Sequence, residues 1–433
     1  MDRKIYDTYV SILKKELIPA MGCTEPISLA YAASIMKKEL GCIPERIEAQ
    51  ISGSILKNIK SVIVPNTGGL HGTKAAIAAG VIAGEPDKIL EVISCVSDEQ
   101  RKDIARFSEE ADISVSFLDS GLVFDMIITG YSGESSASVR IAQHHTNVIH
   151  IEHDGKVILD KPAGHDENGE KEDYLLLNMD DIFDFAVHSD ISDYKDILDL
   201  QIKNNMAIAR EGMKNPYGAN VGKVLLNMRG SDDITTYVRA MAASGSDARM
   251  GGCEMPVVIN SGSGNQGITA SVPVISWAEK KGYGSEKLYR ALVLSNLTAI
   301  HEKSPIGTLS AYCGAVSAGV AAGAGIAYLE TEDFKVIKHT IVNAVAICSG
   351  IICDGAKPSC AAKIAASVDA GLLGYYMYLN GQQFFGGDGL ITAGIEPTLK
   401  NIGRLGKEGM KQTNKEIIEM MLEDSGRSIC GKC

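Results

Sequence analysis

Residues 304–329, SPIGTLSAYCGAVSAGVAAGAGIAYL, contain no charged side chain. An uncharged run of that length either spans a membrane or forms a helix enclosed by protein on all sides. The run is mostly Gly, Ala and Ser, with Pro305 near its start, and offers few large side chains to lipid. The sequence therefore predicts a buried helix and no membrane partner. Enclosing such a helix takes a sizeable core. The 433 residues are enough for one, and at about 100–200 residues per domain they predict two or three domains.

The rest of the composition narrows the class. Hydrophobic residues make up 45% and charged residues 22%, as in ordinary globular proteins. The formal net charge of −12 and the lack of a basic run argue against a nucleic-acid partner. The first twenty residues, MDRKIYDTYVSILKKELIPA, are charged and amphipathic without the apolar stretch of a secretory signal, so the cytoplasm is the expected location.

Element signals change along the chain. Residues 1–40 read as helix, interrupted by PAMGCTEP. Residues 46–52, 61–66 and 88–94 read as strands, and 73–84 and 98–111 as helices. Four strand-like runs follow: ISVSFLD, VFDMIITGY, SASVRIAQ and NVIHIEHDGKVI. After a polar, acidic stretch at 160–190 the pattern is helical and punctuated by glycine. The expected fold class is α+β, with a mixed domain over 1–195 and a mainly helical domain over 196–433.

Ten cysteines are present, and six of them lie from Cys313 onwards. In a reducing compartment they are not a disulfide framework. Cys353 and Cys360 flank a turn built on Asp354, Gly355 and Pro358, and Cys313 sits in the uncharged run. The spacing fits neither a zinc ribbon nor a ferredoxin run. Three thiols drawn from distant points could hold an iron–sulfur cluster with one open iron, or could simply be packing residues. NSGSGNQGITASVP (260–273) offers backbone N–H groups and short polar side chains to an anion, or is a plain glycine turn. It superficially resembles a pyridoxal-phosphate loop, but no Schiff-base lysine context accompanies it. PNTGGLHGTKAA (65–76) is a second candidate anion loop, and its His71 reads equally as a surface histidine. In MGCTEP (21–26), Cys23 or Thr24 caps a helix; a thiol there can be acidified by the helix terminus, or be a cap only. HEKSPIG (301–307) brings Lys303 near Cys313, and SICGKC ends the chain.

INSGSGNQG, KSPIGTLSAYCGAVSAG and ICDGAKPSC stand in the order of the catalytic part of the iron–sulfur L-serine dehydratases, which this chain resembles. With GCTEPISLAYAAS, FFGGDGLI and NIGRLGKEGM, the likeness is closer to the L-cysteine desulfidase branch and covers nearly the whole chain. The resemblance implies a 4Fe–4S cluster on Cys313, Cys353 and Cys360, with Cys433, or the nearby Cys430, as a fourth ligand and Cys348 outside the ligand set. It implies that Cys23 stands where the dehydratases carry a histidine, as a base or substrate contact. Thr24, Glu25 and Asn66, together with Ser261, Ser263, Asn265, Gln266 and Lys303, are the implied substrate-binding residues. The implied reaction is non-redox β-elimination of L-cysteine to pyruvate, ammonia and sulfide, in a homodimer. The alternatives are an L-serine dehydratase and a non-catalytic iron–sulfur sensor.

Overall fold

The computed structural model describes residues 1–162, 173–307 and 309–424; Cys430 and Cys433 lie outside them. The N-terminal half carries α1 (Arg3–Glu16), β1 (Pro19–Met21), α2 (Thr24–Leu40), β2 (Arg46–Ile51), α3 (Gly53–Ile59), α4 (Gly72–Ala83) and α5 (Asp98–Glu110). It continues with β3 (Asp112–Phe117), β4 (Asp125–Ser132), β5 (Ser135–Ala142), β6 (Val148–His153) and β7 (Lys156–Asp160). Strands β2 to β7 form one sheet in the order β3-β2-β4-β5-β6-β7, parallel only between β2 and β3. Alternation puts Met126, Ile128, Val139 and Ile141 on its buried face, where α2 lies across β4 and β5. Gly130 belongs to that contact, since a Cβ there would stand 2.2 Å from Met36 Sδ.

The expected α+β class holds, with three corrections. Residues 61–66 make only an isolated bridge, Ile63 to His71, because Pro65 and Asn66 (φ 61°) turn the chain. Residues 88–94 fall within and just after a 3-10 segment, Pro86–Glu91, opened by its proline. Short apolar runs of this kind do not distinguish strand from helix by period. The run read as one strand over 147–158 is the β6–β7 hairpin, turned by Asp154 and Gly155, both at positive φ.

The helices that follow are α6 (Met179–His188), α7 (Lys195–Lys214), α8 (Val221–Arg229) and α9 (Ile234–Met250). After β8 (Pro256–Val258) come α10 (Gly264–Lys281), α11 (Ser285–Lys303), α12 (Gly314–Thr331), α13 (Phe334–Ile347), α14 (Cys360–Leu379), α15 (Ile395–Arg404) and α16 (Lys411–Asp424). Strand β1 pairs antiparallel with β8, and Tyr9 of α1 packs edge-on against Phe185 of α6. Both contacts cross from the N-terminal segment to elements beyond residue 178, and one continuous buried core runs through both halves.

The uncharged run enters α12 only from Gly314 onwards, and there every residue from Ala315 to Leu329 is buried among helices. No helix among the described residues is long and apolar enough to cross a membrane. The glycines of α12 set how closely its neighbours approach. A Cβ on Gly319 would stand 2.4 Å from the backbone of Ser367, and one on Gly323 2.7 Å from Gly371. The contacts advance together, so α12 and α14 run parallel with their N-termini level. Gly314 meets Gln266 and Gly325 meets Val274, which aligns α10 in the same direction. Three helix N-termini thus come together at one end of the helical layer.

Candidate functional site

Two of the three singled-out cysteines stand at those N-termini. Cys313 is the N-cap residue of α12, and Cys360 is the first residue of α14. Cys353 joins them through a one-rung antiparallel bridge, Tyr312 to Ile352. In it the Cys313 N–H donates to Ile351 O (2.9 Å) and the Cys353 N–H to Ala311 O (2.7 Å). Gly355 makes the turn to α14 at φ 95°; a Cβ there would stand 2.2 Å from Lys57 O. Lys57, on α3, donates to Cys353 O (3.1 Å) and Asn414 Oδ1 (2.7 Å). Cys348 caps the end of α13 and packs on the main core.

The thiols sense one another. A hydrogen bond between Cys313 and Cys353, with burial, pushes the Cys313 thiol up. The same bond, followed by the Lys57 and Lys303 charges, outweighs burial at Cys353 and holds it well below the usual thiol range. Burial raises Cys360, which feels the Cys353 charge. Lys57 and Lys303 thus help to favour the thiolate at Cys353, whereas Cys313 and Cys360 are held as thiols.

The GCTEP segment docks here. Gly22 turns at φ 65° with the Pro65 ring where a Cβ would be, and Cys23 packs against Cys360, Val62 and Met250. The Thr24 hydroxyl donates to Gly262 O (3.0 Å), tying α2 to the 260–266 loop. The Glu25 carboxylate is buried and accepts from the Cys23 thiol (3.0 Å) and Asn58 Nδ2 (2.9 Å), with His145 Nε2 at 3.8 Å. Burial alone would raise Glu25, but His145 and the thiol outweigh it and hold the carboxyl at about 2. Cys23 moves the other way: burial and the Glu25 charge push its thiol well above the usual value. The helix-terminus argument for an acidified Cys23 is thereby corrected, because desolvation and a carboxylate at hydrogen-bond distance outweigh the helix dipole.

In the loop, Ser261 (φ 49°) donates to Asn260 Oδ1 (2.9 Å), and Ser263 is the N-cap residue of α10 without a side-chain cap bond. Asn265 Oδ1 and Gln266 Oε1 are buried without a partner. Asn66 departs from expectation: its side-chain amide donates to Ile93 O (2.8 Å) and Met21 Sδ (3.3 Å), so it braces the GCTEP segment and has no free side-chain N–H for a substrate. Lys303 lies with Ser261, Gly262 and His145 on a cleft of about 470 Å³. Burial pulls its ammonium down to about 8, against the Cys353 and Cys313 charges.

Sequence reading missed His145, Asn58, Lys57 and Arg249. Arg249, near the end of α9, is 2% exposed and lies against Gly264. The only signal for it was two charged residues inside the small-residue stretch AASGSDARMGG.

Among the described residues no three His, Cys, Asp or Glu side chains converge on a single metal ion. A four-iron cluster asks for something else, one thiolate at each of separate corners. Cys313, Cys353 and Cys360 fit that request: they are three mutually interacting, half-buried thiols, one already acidified, around one turn.

The family described as serine dehydratase alpha chain matches residues 87–419, and the chain belongs to it. That family is associated with iron–sulfur clusters. Along nearly its whole length the chain is also similar to UPF0597 proteins. It is 55% identical to the one from Desulfitobacterium hafniense (strain Y51) over 422 residues, 97% of each chain. Identity is 47% to the one from Finegoldia magna, covering 96% of this chain and 99% of the relative. With that from Fusobacterium nucleatum it is 38%, covering 97% and 100%.

Proposed function

We propose that this chain is a lyase that eliminates the β-substituent of a small α-amino acid, with L-cysteine as preferred substrate and pyruvate, ammonia and sulfide as products. The observation that carries the reading is the meeting of three thiols, the 260–266 loop and the GCTEP segment at one cluster of helix N-termini. Cys313, Cys353 and Cys360 would hold a 4Fe–4S cluster, whose open iron supplies a Lewis acid for a soft leaving group. The chain's own groups divide the proton work. Lys303, pulled down to about 8, keeps a neutral amine fraction near neutrality and takes the α-proton. Cys23, pushed up and hydrogen-bonded to Glu25, stays protonated and gives its proton to the departing sulfide. Backbone N–H groups at the start of α10 orient the substrate. Loss of the β-substituent leaves aminoacrylate, which tautomerises and is hydrolysed by water.

The family description favours a second reading, L-serine as substrate with water leaving. A thiol is far more acidic than a hydroxyl, and sulfide leaves with less proton assistance than hydroxide, which favours cysteine. The test compares kcat/KM for L-cysteine and L-serine on cluster-loaded protein under argon. The desulfidase reading expects cysteine to exceed serine; a serine value equal or higher assigns the chain as a dehydratase.

A further inference from the structure

The Arg249 guanidinium is sealed in the protein with no carboxylate at ion-pair distance among the described residues. Its Nε and Nη2 atoms are buried and have no hydrogen-bond partner. Burying an unpaired charge is strongly unfavourable unless something anionic joins it. The surroundings tell where that anion sits. A Cβ on Gly264, the first residue of α10, would come 2.3 Å from Arg249 Nε and 2.7 Å from Cζ, so the guanidinium lies on the N-terminus of that helix. The positive end of α10 adds to the same field. The next two residues, Asn265 and Gln266, hold buried, partnerless carbonyl oxygens, and the Gln266 amide rests on Gly314, next to Cys313. On its other side Arg249 influences the Cys23 thiol, which itself packs on Cys360.

We propose that Arg249 anchors the α-carboxylate of the substrate amino acid, and that the orphaned side-chain oxygens of Asn265 and Gln266 receive its ammonium group. This rests on the lyase reading above and adds the residues that select an α-amino acid. A guanidinium presents two parallel N–H groups to a carboxylate, which fixes the acid's plane as well as its place. With the carboxylate on Arg249 and the ammonium on the amide oxygens, the α-carbon and its β-substituent are left between Cys23 and the three cluster thiols. The pairing also gives Arg249, one of the two charged residues in the small-residue stretch AASGSDARMGG, a role.

The test uses L-alanine, an α-amino acid with no β-leaving group, and L-alaninamide, which lacks the carboxylate. Binding of each is measured by calorimetry on cluster-loaded protein under argon for wild type, Arg249→Lys and Arg249→Met, with iron content determined in parallel. The expected result is that wild type prefers L-alanine, that Arg249→Met weakens L-alanine by roughly 100-fold with alaninamide unchanged, and that Arg249→Lys falls between. Iron content stays equal in all three. Undiminished L-alanine binding by either variant overturns the proposal, and so does loss of iron, which would make Arg249 the cluster's counter-charge. A wild type that binds neither L-alanine nor L-cysteine sinks the lyase reading itself, whereas binding that ignores Arg249 sinks only the anchor.

Discussion

Cys23 and Lys303 border the same group of thiols, and burial acts on them in opposite directions: it raises the thiol and lowers the ammonium. That divergence is the ground for assigning Lys303 as base and Cys23 as acid. The rate of pyruvate formation should climb with pH as the Lys303 amine loses its proton through about 8. Lys303→Met should remove this limb and lower kcat by about 100-fold or more, and Cys23→Ala should lower kcat by a similar factor while retaining iron. A stopped-time pyruvate assay across pH 6–9 checks both. Glu25 makes a prediction about stability. Its folded value of about 2 lies below the ordinary 4.5, so its contribution is complete above pH 4.5 and is lost as pH falls towards 2. The shift corresponds to roughly 3 kcal/mol. Urea unfolding at pH 7 and pH 3 should show a pH-dependent loss of about 2 kcal/mol in wild type, the remainder going as pH falls towards 2, and that loss should be missing in Glu25→Gln.

At the scale of elements, α12 illustrates what is legible in a sequence. Its burial follows from an uncharged run of small residues, and the helix occupies that run from Gly314 onwards, after a turn through Pro305 and Gly307. What the run does not display is that Gly319 and Gly323 face Ser367 and Gly371 and so bring α14 alongside in parallel. That contact levels Cys313 with Cys360 and depends on residues about 48 positions away. Gly323→Val should force the helices apart, cost about 1–3 kcal/mol and loosen the cluster site. Thermal unfolding and iron retention after gel filtration measure the two effects. A variant that unfolds as wild type does and keeps its iron would contradict the role given to this crossing. The misread strands at 61–66 and 88–94 have a related cause. Val62, Val64, Val92 and Ile93 of these β-branched runs are buried, but Pro65, Asn66 and Pro86 redirect the backbone before a ladder can form.

The whole molecule closes the site from both ends of the chain. Strand β1 pairs with β8, Thr24 reaches Gly262, Lys57 reaches Cys353, and Asn414 of the last described helix holds Lys57. The motifs on each side were visible in the sequence as separate stretches, and the order of three of them carried the family relation. His145, Lys57 and Arg249 were not visible, because each acquires meaning only through a partner on another element: Glu25, the Cys353 carbonyl and the start of α10. The central claim is that converging helix N-termini gather Cys313, Cys353 and Cys360 into an iron–sulfur site. The measurement that tests it most directly is iron and acid-labile sulfide content, with the visible absorption spectrum, in anaerobically reconstituted wild type and the four single Cys→Ser variants at 313, 348, 353 and 360. The account predicts about four of each in wild type and Cys348→Ser, and loss of the chromophore in the other three. A Cys360→Ser protein with a full cluster, or a Cys348→Ser protein without one, would contradict it.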